Sequence, residues 1–87
     1  MEYQIVCVVK SQQGAITDVG LNDGHIYSIY TIINWMREQH TFFTYRDNHK
    51  ASVHARQNSL TGSVFLTTSP DSVWENNLDF LPHCIRP

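Results

Sequence analysis

The segment that decides the fold is Tyr3-Gln4-Ile5-Val6-Cys7-Val8-Val9, near the start of an 87-residue chain. An extended strand places alternate side chains on one face, which here carries Tyr3, Ile5, Cys7 and Val9. Val6 and Val8 fall on the opposite face. Because both faces are largely apolar, the segment is predicted to be a central strand that is buried on both sides.

A second strand and one helix are predicted next along the chain. The short polar connection at residues 10–14 leads to a strand over residues 15–21, so the two strands should form an antiparallel hairpin. After the turn Asn22-Asp23-Gly24, Ser28 is the expected N-cap of a helix, because its hydroxyl can accept a hydrogen bond from a first-turn N–H. The helical pattern ends near Gln39-His40. Its apolar stripe has helical spacing and consists of Ile29, Ile32, Ile33 and Met36.

Three more strands are predicted, over residues 41–46, 51–56 and 63–68. The middle strand alternates between a small apolar face with Ala51, Val53 and Ala55 and a polar face with Ser52, His54 and Arg56. In the last strand, Val64 and Leu66 lie opposite Phe65 and Thr67. The tail over residues 73–87 should pack back across the sheet, because it contains the large apolar residues Trp74, Leu78, Phe80 and Leu81.

These elements predict a single α+β domain over residues 1–87, in the order ββαβββ plus a docked C-terminal tail. The sheet is expected to be mainly antiparallel, with the helix covering one face. A chain with 41% hydrophobic residues is too apolar to be disordered. No apolar run reaches the roughly 20 residues that a membrane helix needs, and the first residues lack the pattern of a signal peptide. A cytoplasmic protein without membrane contact is therefore expected.

The two cysteines lie near opposite ends of the chain. Cys7 falls in an apolar strand, where a thiol behaves as a small buried hydrophobe, and Cys84 follows His83 in the tail. In a reducing cytoplasm both are expected to be free thiols, and a Cys7–Cys84 bridge is the minor alternative.

No group of residues has the arrangement that catalysis or metal binding requires. Neither the adjacent pair His83-Cys84 nor the spacing of His49 and His54 is typical of zinc ligands. The glycines are isolated, so there is no phosphate-binding loop, and most carboxylates fall in predicted turns. We therefore expect no enzyme activity, no metal and no cofactor.

One predicted hairpin combines cationic and aromatic side chains. Such a surface can bind an anionic or nucleotide-like ligand, although a simple solvated face is the competing interpretation. The candidate ligand-binding residues are Arg46, Lys50, His54, Arg56 and Tyr45. The net charge of −2 and the pI near 6.1 make duplex DNA an unlikely partner. Three large aromatic residues are candidate anchors of an interface, namely Tyr30, Trp35 and Trp74.

The closing part of the sequence is similar to a small bacterial and phage family catalogued as domain of unknown function 3892. Its pattern is Tyr-Leu-x-Thr, a Pro/Ala-Asp turn, and then Asn-Leu-x-x-Leu-Pro-x-Cys. The stretches that resemble it are Phe65-Leu66-Thr67-Thr68-Ser69-Pro70-Asp71 and Asn76-Asn77-Leu78-Asp79-Phe80-Leu81-Pro82-His83-Cys84. Phe65 stands where the family often has Tyr. The resemblance implies a shared fold and no activity, and the matching residues Leu66, Pro70, Leu78, Leu81 and Pro82 are expected to serve packing and turns.

The sequence favours a small non-enzymatic binding module that forms a homodimer or higher oligomer and binds a macromolecular partner, as an inhibitor or regulator. The alternative is a protein that sequesters an anionic, nucleotide-like small molecule, as a phage-encoded counter-defence. An enzyme of unknown type is the third hypothesis.

Overall fold

The computed structural model of the chain describes residues 1–46, 48–69, 78 and 81–85. Its elements are β1 (Glu2–Lys10), β2 (Ile16–Leu21), β3 (Ile26–Ser28), α1 (Ile29–Arg37), β4 (Thr41–Arg46), β5 (His49–Gln57) and β6 (Val64–Ser69). The strands form one six-stranded sheet in the order β3-β2-β1-β4-β5-β6. Only the β1–β4 pairing among these neighbours is parallel, so the predicted α+β class with a mainly antiparallel sheet is confirmed.

The observed order, βββαβββ, contains a strand that the sequence analysis missed. Strand β3 follows the turn at residues 22–25 and pairs antiparallel with β2, with Ser28 opposite Asp18 and Ile26 opposite Gly20. Three residues are too few for a period of two to be recognised in the sequence. Ser28 ends this strand and is also the N-cap of α1.

The helix begins as predicted and ends earlier. Ser28 Oγ accepts a hydrogen bond from the Thr31 N–H (3.2 Å), which confirms the N-cap. The helix ends at Arg37 because Gln39 takes a left-handed conformation with φ of 72°, and the His40 N–H donates to the Trp35 carbonyl at 3.0 Å. This sharp ending turns the chain directly into β4.

Strand β1 contains a bulge that reverses its side-chain alternation. Ile5 lies opposite Leu21 and Cys7 lies opposite Gly20, so Val6 is an extra residue in β1. Ile5 and Val8 therefore both point into the core, and both are fully buried. The predicted common face of Tyr3, Ile5, Cys7 and Val9 is wrong beyond Ile5, because the bulge moves Cys7 to the face away from the core.

The C-terminal segment is part of the sheet. Strand β1 pairs with β4 only over residues 2–4, and beyond that point residues 82–84 lie beside it. The Val8 N–H donates to the Pro82 carbonyl (3.0 Å), and the Cys84 N–H donates to the Val8 carbonyl (2.9 Å). Leu78 is fully buried in the core. The docked tail is thus confirmed for the residues that the structure describes.

Cys7 and Cys84 form a disulfide, with their Cα atoms 4.9 Å apart. The expectation of two free thiols is wrong for a local reason. The bulge points Cys7 away from the core, while the pairing of residues 82–84 with Val8 brings Cys84 to the same place. Gly20 lies beneath the two sulfur atoms, where a side chain would collide with them.

The core lies between α1 and the covered face of the sheet. Its members come from β1, β2, α1, β4, β5, β6 and the tail, namely Ile5, Val8, Val19, Leu21, Ile29, Ile32, Ile33, Phe42, Val53, Leu66 and Leu78. The predicted helix stripe supplies Ile29, Ile32 and Ile33 to this core. Phe65 is 43% exposed, which agrees with its predicted position opposite Leu66.

Replacing Gly20 by alanine is predicted to destabilise the protein only while the disulfide is present. The added methyl group would overlap Cys7 Sγ and lie 3.0 Å from Cys84 Sγ. We expect the free energy of unfolding to fall by about 1–3 kcal/mol. In a Cys7→Ala/Cys84→Ala background the methyl group meets no sulfur, and the change should be neutral or stabilising by up to about 1 kcal/mol.

Urea unfolding of the four proteins of this double-mutant cycle measures both costs. An equal cost of Gly20→Ala in the two backgrounds would contradict the position of the disulfide over Gly20.

Candidate functional site

The candidate site is a groove of ≈ 630 Å³ between the end of α1 and strands β4 and β5. This volume falls within the roughly 300–1,000 Å³ of typical ligand pockets. Apolar side chains contributing to its lining are Ile33, Met36, Phe42, Val53 and Val64. Polar and charged side chains at its border are Glu2, Arg37, His40, His54, Arg56 and Gln57.

The groove exists because β4 and β5 separate. Their antiparallel register ends at Phe43 opposite Ser52, while β5 continues along β6 as far as Gln57 opposite Val64. Strand β4 begins at Thr41, only two residues before Phe43, whereas β5 continues to Gln57. Residues 55–57 of β5 therefore have β6 on one side and the groove on the other.

The backbone of β5 offers hydrogen-bonding groups to this groove. The Asn58 N–H donates to the Ser63 carbonyl (2.7 Å). This bond shows which residues of β5 hydrogen-bond to β6 and which do not. In an antiparallel ladder the N–H and C=O of one residue point to the same neighbour, and successive residues alternate. The backbone groups of His54 and Arg56 therefore point to β6, those of Val53 point to Phe42 of β4, and those of Ala55 and Gln57 point into the groove. Ala55 and Gln57 form the inner edge of β5, and none of the described strands pairs with it.

The border of the groove carries unpaired positive charge. Arg37 comes from the last turn of α1 and Arg56 from β5, and both are exposed. Neither forms an ion pair with any residue that the structure describes. The carboxylate of Glu2 is engaged by Lys50 Nζ at 3.0 Å, so it contributes little negative charge to the groove.

His40 is held at the edge of the groove. Its Nδ1 lies 3.3 Å from the N-terminal amino group, and its ring contacts Tyr3 and Trp35, with ring centroids 5.8 and 6.2 Å away. His54 stands on the exposed face of β5 beside Arg56.

The structure brings only part of the predicted ligand-binding set to the groove. His54 and Arg56 line it. Tyr45 and Lys50 lie near the other end of the β4–β5 hairpin, where Lys50 Nζ is 4.5 Å from the centroid of the Phe43 ring. The side chain of Arg46 lies outside the described residues. Sequence reasoning missed Arg37 and Gln57, because no local pattern shows that β4 and β5 separate.

Residues 4–82 of the chain match the family described as Protein of unknown function (DUF3892). The chain belongs to this family. No curated protein and no solved structure matches it. The resemblance noted in the sequence is confirmed, and Leu66 and Leu78, two positions of the DUF3892 closing pattern, are indeed buried.

The described residues of this DUF3892 chain contain no helix with the length and apolarity needed to cross a membrane. They also contain no group of three or more His, Cys, Asp or Glu side chains placed to hold a metal ion.

The predicted interface residues lie in different environments. Tyr30 is 68% exposed and borders a second groove of ≈ 340 Å³, together with Phe65. Trp35 is half-buried in an aromatic cluster with Tyr3, Tyr27 and Phe42, at centroid distances of 5.8, 4.9 and 6.4 Å. Trp74 lies outside the described residues. An interface role for any of the three stays a prediction.

The turn at Asp23 stabilises the aromatic cluster around Trp35 through hydrogen bonds. The Asp23 carboxylate accepts from the His25 N–H (2.9 Å) and from the Tyr27 hydroxyl (2.8 Å). The first of these bonds is the main cause that lowers the pKa of Asp23, and the bond to Asp23 raises the pKa of Tyr27. Tyr27 is thereby oriented against Trp35, which in turn packs on Phe42 in the groove lining.

Trp35→Ala is predicted to be much more destabilising than Tyr30→Ala. Removing the indole opens a cavity beside Tyr27 and Phe42, so we expect a loss of about 3 kcal/mol in the free energy of unfolding. Tyr30 is on the same helix and exposed, so its truncation should stay within about 0.5 kcal/mol. Urea unfolding compares the pair, and similar losses in both variants would contradict the assignment of Trp35 to the core.

Proposed function

We propose that this protein is a non-enzymatic binding module that captures an anionic partner in the groove between β4 and β5. The observation that carries the proposal is the pair Arg37 and Arg56, two guanidinium groups without an ion-pair partner among the described residues. Guanidinium groups bind carboxylates and phosphates through paired N–H donors, and they do so more strongly beside apolar surface.

The charge at the groove differs from that of the whole protein. The chain has a net charge of −2, yet the groove border combines two arginines with His40 and His54. Among the described residues of this border, the one carboxylate belongs to Glu2 and is paired with Lys50. A local positive border on an acidic protein favours selective binding of an anion over general attraction to polyanions.

The same geometry supports binding more than catalysis. General acid–base chemistry needs a proton-transfer group that is available to a substrate. Among the described groove residues, Glu2 is engaged by Lys50 and His40 by the amino terminus, while His54 has no hydrogen bond to a described residue that would orient it. A role as an inhibitor or regulator of a macromolecular partner is thus our first proposal.

Sequestration of a nucleotide-like small molecule is the second candidate function. The groove volume is large enough for a nucleotide, and the half-buried side chains of Met36 and Val64 offer apolar surface to a heteroaromatic ring. A phage-encoded counter-defence role belongs to this second proposal.

Assembly and location remain proposals as well. Exposed Tyr30 and Phe65 beside the second groove support a homo-oligomer. A cytoplasmic location is proposed from the sequence alone, and the Cys7–Cys84 disulfide weighs against it because such bonds persist mainly in oxidising compartments.

Arg37→Gln and Arg56→Gln are each predicted to weaken anion binding. Three probes cover the candidate partners, namely adenosine monophosphate, inorganic pyrophosphate and the acidic peptide acetyl-Asp-Val-Asp-Val-Asp-amide. Loss of one charged hydrogen bond should weaken binding of an accepted probe by about tenfold or more. Isothermal titration calorimetry measures the affinities.

Lys10→Gln is the matched control, because it removes the same charge at the far end of β1 from Glu2, outside the groove lining. We expect this variant to change the affinity by less than about threefold. Failure of all three probes to bind, or unchanged affinity in both arginine variants, overturns the proposed function.

A further inference from the structure

We infer that the anionic partner is an extended acidic peptide, which adds as a strand to the inner edge of β5. This inference rests on the proposed function and specifies the partner that the groove accepts.

The open edge of β5 repeats at the spacing of an extended chain. Ala55 and Gln57 each direct an N–H and a C=O into the groove. Alternate residues of a strand are about 6.8 Å apart, which is the repeat of another extended chain. The ring of a nucleotide could satisfy the groups of one such residue, whereas an extended peptide spans both. The edge therefore favours a peptide over a small molecule.

The open backbone groups lie beside apolar surface. Met36 and Val64 line the groove next to them, and both side chains are half-buried. Polar backbone groups beside apolar side chains gain most from a partner that replaces water with hydrogen bonds. An inserted strand supplies those bonds and covers the apolar lining at the same time.

A second opening in the sheet, between β1 and β4, is already occupied by an extended segment. Strand β4 also separates from β1, beyond the pairing of Gln4 with Phe43. There an extended segment, residues 82–84, pairs with β1 through hydrogen bonds on both sides of Val8. The gap between β4 and β5 has the same origin, and a strand is the element that fits such a gap.

The side chains around the groove specify the sequence pattern of the peptide. An inserted strand would direct alternate side chains to opposite faces of the sheet. One set meets Ile33 and Met36 on α1, and the other meets His54 and Arg56 on the exposed face of β5. Apolar and acidic residues should therefore alternate, with Arg37 near the border to pair with a further carboxylate.

N-methylation of alternate residues in the probe peptide tests this inference. Acetyl-Asp-Val-Asp-Val-Asp-amide has the expected pattern and length, and it is compared with two derivatives. One carries N-methyl groups on the valines and the other on the aspartates. Only one alternate set of N–H groups faces β5, so one derivative should bind about tenfold more weakly or worse, and the other should stay within about threefold of the parent. Calorimetry measures all three affinities.

The outcomes separate the inference from the proposed function. Equal affinities of the two methylated peptides overturn strand addition, while dependence on Arg37 and Arg56 would still uphold anion binding. If the parent peptide fails and adenosine monophosphate or pyrophosphate binds in an arginine-dependent way, the partner is a small anion and the inference is wrong. If no probe binds in an arginine-dependent way, both proposals fail.

Amide resonances give an internal control within the same protein. Binding of the parent peptide should shift the backbone amide signals of Ala55 and Gln57 more than those of His54 and Arg56, which already bond to β6. Equal shifts along residues 54–57 would contradict pairing at the inner edge.

Discussion

The extra residue Val6 in β1 is the constraint on which the rest of the structure depends. Without this bulge, strict alternation would point Val8 and Ile5 to opposite faces. With it, both enter the core, and Cys7 turns to the other face above Gly20. The disulfide then fixes residues 82–84 beside Val8, while Leu78 from the same segment fills the core. One inserted residue thus determines core composition, covalent linkage and the docking of the tail.

Strand β4 distributes its pairing between two neighbours, and this produces two gaps in the sheet. Its first residues, 41–43, pair with β1, and residues 43–46 pair with β5. The gap beside β1 is filled by residues 82–84. The gap beside β5 is the groove with Arg37 and Arg56 at its border. The proposed function follows from this difference, because one opening is filled by the chain itself and the other presents charge and backbone donors to a partner.

Local sequence patterns predicted the helix and strands better than the contacts between them. The Ser28 cap, the isoleucine stripe of α1 and the alternation of Phe65 and Leu66 were readable because each depends on neighbours within a few residues. The bulge at Val6 could not be predicted, since a run of apolar residues gives no sign of which side chains face the core. The disulfide and the groove depend on contacts between distant segments. Arg56 and His54 were therefore recognised as a cationic face, while Arg37 was not connected to them.

Amide hydrogen exchange along residues 53–57, without any added partner, tests the central claim most directly. We expect two fast and three slow amides. Ala55 and Gln57 should exchange rapidly because their N–H groups face the groove. Val53 should be protected by its pairing with Phe42, and His54 and Arg56 by their bonds to β6. Uniform protection of all five amides would show that the inner edge of β5 is already paired, and it would contradict the open groove from which both proposals derive.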